Sequence, residues 1–280
     1  MRRYVLIISL CLLAATKSAA NQAVTLTDSA RVSLLTCTPG NETYSKYGHS
    51  AVRIFDPELD IDWTFNYGVF NFNTKDFYLK FLRGETWYQL DLEDTDWFIY
   101  TSSLIGRITY EQVLNLKQEE KQAIFDALVD NYQPKKRYYL YNFVFDNCAT
   151  RPYKLIRKAM PNLPSAQQVA DYQAVKAAND IEHMKALQAT NPLQRIPVLG
   201  DEVPPTYRQM IRHYSEKNSW PGFGIDFIFG SVADVEMTAE QRLFLPEQLM
   251  SYVGNAVMED GTPFCLEDNT KTFEIKEHSW

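Results

Sequence analysis

The sequence is poor in histidine and lacks the Cys and His spacings that are typical of zinc sites. Its four histidines are scattered over 280 residues, and it contains neither a CxxC nor an HxxxH spacing. Zinc sites usually draw Cys or His ligands from short, regular spacings. We therefore predict no metal site and no other cofactor.

Excess positive charge and long apolar runs are also lacking. The net charge is −7 and no basic stripe is present, which argues against a nucleic-acid partner. After residue 20 no apolar run reaches the length of a transmembrane helix. We expect a mature protein that is soluble or peripheral to a membrane.

The N-terminus has the pattern of an export signal. Arg2 and Arg3 precede the apolar stretch Val5–Ala15, and small residues at Ser18 and Ala20 suit cleavage before residue 21. Residues 1–20 are therefore predicted to be removed from an exported protein. Three cysteines then remain, Cys37, Cys148 and Cys265, so at least one thiol stays unpaired. Cys37 could form a disulfide with Cys265, which would leave Cys148 as the unpaired thiol.

The remaining chain is long enough and, at 45% hydrophobic residues, apolar enough for a sizeable core. We predict an α+β fold with a core at residues 21–161, a helical covering region of the same domain at 162–255, and a tail without clear structure at 256–280. Alternation and apolar runs predict strands at Val32–Thr36, His49–Phe55, Trp63–Phe70, Thr86–Leu92 and Trp97–Gly106. Helical spacing predicts helices at Phe72–Phe81, Lys117–Tyr132, Gln167–Ala189 and Pro205–Lys217, and Thr238 with Gln241 forms a capping box for a further short helix.

The stretch around Cys148 carries the chemistry. The run Tyr138–Phe145 predicts a buried strand, and Asp146–Asn147 is a polar pair suited to a helix cap. A helix follows that must begin close to Cys148, because Pro152 fits only in a first turn. A thiol at a helix N-terminus is expected to favour the thiolate. The alternative is a structural cysteine.

A nucleophilic cysteine needs a base and a group that orients the base. His183, His213 and His278 are predicted at exposed or terminal positions. His49 follows a glycine at the start of a strand, among tyrosines. We therefore predict that His49 is the base for Cys148.

The order of His49 before Cys148 resembles the circularly permuted branch of the NlpC-type, papain-like superfamily. In that branch the histidine strand comes first, a polar orienting residue lies on the next strand, and the cysteine starts a later helix. The resemblance makes Asn66 the orienting candidate. Tyr47, two residues before His49, could donate its hydroxyl to an oxyanion, as could the backbone N–H of Cys148.

Several segments are similar to one family, the Lnb N-terminal periplasmic domain family of Gram-negative bacteria. They are CTPG at 37–40, YGHSAVRI at 47–54, FNYGVFNF at 65–72, NFVFDNCATR at 142–151, TYRQMIRHY at 206–214, WPGFGIDFIFG at 220–230 and FLPEQLM at 244–250. The resemblance implies a periplasmic acyltransferase that moves an acyl chain from phospholipid to a cysteine thioester and then to the amine of a diacylated lipoprotein. It also implies peripheral membrane contact. Such proteins are expected to carry C-terminal transmembrane helices, and this sequence ends without them.

Two other functions fit the same residues. A cell-wall peptidase or amidase would use the same thiol chemistry with water as the acceptor. A non-catalytic binding domain would keep Cys148 as a structural residue. The high aromatic content, 14%, and the apolar loop Phe223–Phe229 suit an acyl-chain groove, but they suit ordinary core packing as well.

Overall fold

The centre of the fold is a seven-stranded antiparallel sheet. A computed structural model describes residues 24–40, 45–70, 80, 85–186, 206–214, 233–266 and 271–273. The sheet has the strand order β6-β4-β3-β2-β1-β5-β7. Its strands are β1 (Arg31–Cys37), β2 (His49–Asp56), β3 (Ile61–Val69), β4 (Trp87–Asp94), β5 (Thr109–Val113), β6 (Tyr138–Leu140) and β7 (Lys271–Phe273). The predicted strands at the β1 to β4 positions are thus confirmed.

Helices complete an α+β fold. Those in the described residues are α1 (Thr95–Leu104), α2 (Gln118–Tyr132), α3 (Thr150–Ala159), α4 (Ala166–Ala186), α5 (Tyr207–Tyr214), α6 (Ala239–Arg242) and α7 (Pro246–Asn255). The capping box of Thr238 and Gln241 is formed at the start of α6. Phe72–Phe81, apart from Lys80, and the loop Trp220–Gly230 lie outside the described residues. No helix in the described part is long and apolar enough to cross a membrane.

The main core lies between one face of the sheet and a layer of helices. It contains Phe65 and Tyr67 of β3 together with Ile124 of α2, Ile156 of α3 and Tyr252 of α7. On the opposite face, Phe98 of α1 packs in a smaller cluster with Leu35, Cys37 and Ala51. The sheet is therefore covered on both sides where β1 and β2 meet.

The predicted strand at Trp97–Gly106 is wrong, because these residues form most of α1. The Asp94 side chain accepts a hydrogen bond from the Trp97 backbone N–H at 3.1 Å and so caps the helix. Thr95, Phe98 and Ser102 are buried at helical spacing. The aromatic residues suggested a strand, but the cap and the burial of Phe98 favour a helix.

Two further predictions need correction. The predicted buried strand Tyr138–Phe145 is only the three-residue β6, in which Tyr138 and Leu140 are exposed, and a turn follows. The C-terminal tail, predicted to lack structure, contributes β7, which pairs with β5. Short edge strands have few apolar positions, so alternation gives little signal for them.

Candidate active site

His49 opens β2 and is held by a chain of side-chain hydrogen bonds. Its Nε2 lies 2.6 Å from Asn66 Oδ1 on the neighbouring strand β3. Asn66 Nδ2 donates in turn to Glu93 Oε1 on β4 at 2.6 Å. Three adjacent strands therefore fix the orientation of the imidazole ring.

This chain also determines which nitrogen of His49 carries the proton. An ionised Glu93 can only accept, so the Asn66 amide nitrogen faces it and the amide oxygen faces His49. Because that oxygen accepts, Nε2 carries the hydrogen of the neutral ring. Nδ1 is then the nitrogen with a free lone pair, as a general base requires.

Cys148 lies in a tight turn just before α3. The Asn147 side-chain oxygen accepts hydrogen bonds from the backbone N–H groups of Ala149 and Thr150, both at 2.9 Å. The helix begins at Thr150, which puts Pro152 in the first turn as predicted. The thiol is thus placed two residues ahead of a helix N-terminus.

Gly68 lies next to the side chains of both Cys148 and His49. It is the extra residue of a β-bulge in β3, between Tyr67 and Val69, and its φ is +99°. A Cβ on Gly68 would lie 3.5 Å from the Cys148 Cβ and 3.6 Å from the His49 Cε1. The two predicted catalytic side chains therefore border one small space, which the missing side chain of Gly68 leaves open.

Burial shifts both groups toward their neutral forms. Desolvation, followed by the positive charge of Arg107, lowers the pKa of His49 from 6.5 to about 4, against the hydrogen bond with Asn66. Desolvation raises the pKa of the Cys148 thiol from 9.0 to about 11, although the Ser50 backbone and Arg107 act in the opposite direction. The expected preformed thiolate is therefore wrong, because loss of water outweighs the effect of the helix N-terminus. The resting pair is a neutral thiol beside a neutral imidazole.

Tyr47 lies near the site, but its ring packs against Phe143 with centroids 4.8 Å apart. Three tyrosines that the sequence analysis missed surround the thiol. Burial, followed by the negative charge that Cys148 would carry as a thiolate, raises the pKa of Tyr88, Tyr139 and Tyr141, and the rings of Tyr88 and Tyr141 stack with their centroids 4.1 Å apart. Three buried tyrosines therefore lie close enough to Cys148 to interact with it electrostatically. Tyr139 and Tyr141 are two positions apart, the spacing of side chains on one face of an extended segment, and this spacing was the signal in the sequence that could have indicated them.

The remaining candidates lie elsewhere. His213 is exposed on α5, and the side chains of His183 and His278 lie outside the described part. Cys37 is a buried thiol, so the suggested Cys37–Cys265 disulfide is not formed. Within the described ranges, no three His, Cys, Asp or Glu side chains are grouped to hold a metal ion.

Comparison with known protein families identifies a match. The model of the Lnb N-terminal periplasmic domain family matches residues 17–178, more than half of the chain. The chain therefore belongs to this family, and the family description points to the periplasm. No curated protein and no solved structure matches the chain.

Proposed function

From this family membership and the arrangement around Gly68, we propose that the protein is a periplasmic cysteine acyltransferase. It transfers a fatty acyl chain from phospholipid, through a thioester on Cys148, to the N-terminal amine of a diacylated lipoprotein. The observation that carries the proposal is the approach of Cys148 and His49 to one open space, with His49 oriented by Asn66 at 2.6 Å.

In the first half-reaction His49 Nδ1 takes the thiol proton as the sulfur attacks the ester carbonyl carbon. The C–O ester bond breaks, and the lysophospholipid leaves as an alcohol that receives the proton from His49. Neutral resting groups suit this order, because the proton moves only when the substrate is attacked. Backbone N–H groups near the sulfur and the surrounding tyrosine hydroxyls, with Tyr47 as the original candidate, are the proposed donors to the oxyanion.

In the second half-reaction the lipoprotein amine attacks the thioester carbonyl. The C–S bond breaks, an amide forms, the amine loses a proton through His49, and the thiol is restored. An aromatic, water-poor surrounding supports amine transfer over hydrolysis, because it limits access of water to the thioester.

The core is proposed to be papain-like in a circularly permuted order. Support comes from the sequence of parts: the His49 strand β2 precedes the Asn66 strand β3, and the Cys148 turn and α3 follow later in the chain. This order agrees with the one expected for that superfamily, with His49 as the proposed base, Asn66 as the proposed orienting residue and Cys148 as the proposed nucleophile.

The test is the acyl-enzyme itself. Mixing the protein with phospholipid alone should add one acyl mass on Cys148 by intact-mass spectrometry, and neutral hydroxylamine should remove it. A diacylated lipopeptide with a free amine should discharge it and become N-acylated. Cys148→Ser should form no hydroxylamine-sensitive adduct.

Two further measurements, a cell-wall digestion assay and a melting temperature, distinguish the acyltransferase from a cell-wall hydrolase and from a non-catalytic domain. Release of fragments from purified cell wall, without any acyl adduct, would replace the proposal with a peptidase or amidase. A protein inert in both assays, in which Cys148→Ala lowers only the melting temperature, would be a non-catalytic domain.

Peripheral membrane contact is part of the proposal, and α1 offers the supporting surface. Trp97, Tyr100 and Leu104 share one side of α1 and are 58%, 47% and 62% exposed, while Phe98 on the inner side lies 6.3 Å from the His49 ring. Exposed Trp, Tyr and Leu on one helix face are typical of helices that lie in a membrane interface. Replacing all three by Ser should reduce co-sedimentation with phospholipid vesicles, whereas Val175→Ser, also at an exposed position, should not. Equal binding by both variants would refute the role of α1.

A further inference from the structure

Arg107 is a buried cation at the edge of the active site. It lies just before β5, is 8% exposed, and its Nε donates to the Thr38 backbone oxygen at 2.8 Å. Thr38 follows Cys37, the residue that pairs with His49 across β1 and β2. The guanidinium is therefore anchored beside the strand end that carries His49.

No counter-charge neutralises this guanidinium within the part of the chain that the structure describes. Its Nη2 is buried and has no hydrogen-bond partner. Four other arginines of the described residues are paired with carboxylates: Arg53 with Asp62 and Glu111, Arg137 with Asp91, Arg151 with Asp146 and Arg208 with Asp234. Burying an unpaired charge is unfavourable. Because no carboxylate of the described residues cancels the charge of Arg107, its positive field acts on nearby groups in this water-poor region.

The charge of Arg107 acts on both members of the proposed catalytic pair, His49 and Cys148, in the directions expected for a cation. Arg107 disfavours the protonated His49 ring and favours the ionised Cys148 thiol. The other groups around the pair are Glu93 behind Asn66, Cys37, and the hydroxyls of Tyr88, Tyr139 and Tyr141. Among these, Arg107 is the cation whose charge reaches both members of the pair.

We propose that Arg107 is an electrostatic positioning residue of the active site. Its uncompensated charge adds to the effect of burial in keeping the His49 ring in the unprotonated, base-competent form, and it stabilises negative charge on the Cys148 sulfur. It acts through these two groups and need not contact the substrate. The proposal rests on Cys148 and His49 being the reactive pair, but not on the identity of the acyl donor.

The test compares two titrations in Arg107→Gln with those of the unmodified protein. The first is the pH dependence of Cys148 alkylation by iodoacetamide, followed by mass spectrometry. The second is the NMR titration of the His49 Cε1 proton, assigned with His49→Gln. Loss of the cation should raise both pKa values, and at pH 8 alkylation should slow about threefold or more, which corresponds to about half a pKa unit.

The direction for Cys148 separates the field from a packing role. If Arg107 only fills space, its removal admits water, which would raise the pKa of His49 but lower that of Cys148. Faster alkylation, or two unchanged titrations, would therefore overturn the proposal. Arg107→Lys keeps the charge and should remain close to the unmodified protein. Arg107→Met, which keeps the aliphatic stem, repeats the test if Gln prevents folding.

A matched control removes a charge that is already paired. Arg208 on α5 donates to Asp234 at 2.6 Å, so Arg208→Gln should leave both titrations unchanged. Neither readout needs an acyl donor. Failure of acyl-enzyme formation together with the expected titration shifts would reject the acyltransferase but keep the role of Arg107.

Discussion

Gly68 shows how one residue without a side chain defines the site. Its positive φ permits the bulge in β3, and its missing Cβ leaves open the space between Cys148 and His49. In the proposed mechanism a substrate carbonyl enters between Cys148 and His49. The position therefore combines a backbone requirement with a steric one.

Gly68→Ala should separate these two requirements. The methyl group would lie against both the Cys148 Cβ and the His49 Cε1, so we expect acyl-enzyme formation to fall by about 100-fold or more. The left-handed backbone should lower the free energy of unfolding by about 1–2 kcal/mol. Single-turnover mass spectrometry and urea denaturation measure the two effects.

Gly261→Ala is the matched control. Gly261 has a φ of +83°, and a Cβ there would contact no atom within 4 Å. Its stability loss should be similar, while acyl-enzyme formation should stay unchanged. If both alanine variants lose activity in proportion to stability, Gly68 has only a backbone role.

At the scale of elements, Asn147 joins the cysteine turn to the rest of the fold. Its Nδ2 donates to the backbone oxygens of Phe143 at 2.7 Å and Phe244 at 2.8 Å. Its Oδ1 accepts from the turn that leads into α3, and the residue is only 3% exposed. All the hydrogen-bonding capacity of this buried amide is thus used next to Cys148, the proposed nucleophile.

Asn147→Ala should lower the free energy of unfolding by about 2–4 kcal/mol, because it leaves buried backbone groups without partners. Asn147→Asp should be at least as damaging, since a carboxylate would face two carbonyl oxygens. Denaturant unfolding measures the loss. Asn255→Ala on α7, where the side chain bonds within its own helix, should have a smaller effect. Equal losses at both positions would contradict the anchoring role.

Sequence patterns predicted the elements that hold the site better than its electrostatics. Alternation predicted the strands that carry His49 and Asn66, and these strands, β2 and β3, are neighbours in the sheet. The choice of Asn66 as the orienting residue came from the superfamily resemblance. The place of Cys148 followed from Pro152, which restricts where a helix can begin. These are local constraints, and local sequence carries them.

The features that were missed depend on long-range packing. Whether Trp97–Gly106 forms a helix was decided by the Asp94 cap and by contacts of Phe98 with β1 and β2. The charge state of Cys148 was decided by burial under residues distant in sequence, not by its helix. Glu93 and Arg107 reach the site from β4 and from the start of β5, and no spacing in the sequence indicates this.

At the scale of the whole molecule, His49 and Cys148 make the free energy of unfolding depend on pH. His49 lowers it toward acid pH, and Cys148 lowers it toward alkaline pH. The pKa of His49 is about 4 in the folded chain against an ordinary 6.5, so an unfolded chain takes up a proton first as the pH falls. The pKa of Cys148 is about 11 against 9.0, so an unfolded chain loses a proton first as the pH rises. Each difference contributes at most about 3 kcal/mol.

These two groups therefore predict maximal stability between pH 6.5 and 9. Stability should decline as the pH falls from 6.5 to 4, where the unfolded state binds more protons than the folded one. It should decline again from pH 9 to 11, where the folded state keeps the thiol proton. Urea unfolding across this range should show both slopes. His49→Gln should flatten the acid slope, and Cys148→Ser should flatten the alkaline slope between pH 9 and 10, below the range in which the buried tyrosines Tyr88, Tyr139 and Tyr141 contribute.

His213→Gln supplies the comparison, because it removes an exposed imidazole on α5 and should leave the acid slope in place. Burial acts to raise the pKa of Asp56, but hydrogen bonds from Thr27, Glu58 and Leu59 outweigh it and lower that pKa, so Asp56 loses its contribution as the pH falls through still lower values. Because Asp56 is present in every variant, it cannot cause a difference in acid slope between His49→Gln and the unmodified protein. An acid slope that survives His49→Gln unchanged would mean that His49 titrates alike in both states. The neutral resting pair, and the mechanism that begins from it, would then have to be abandoned.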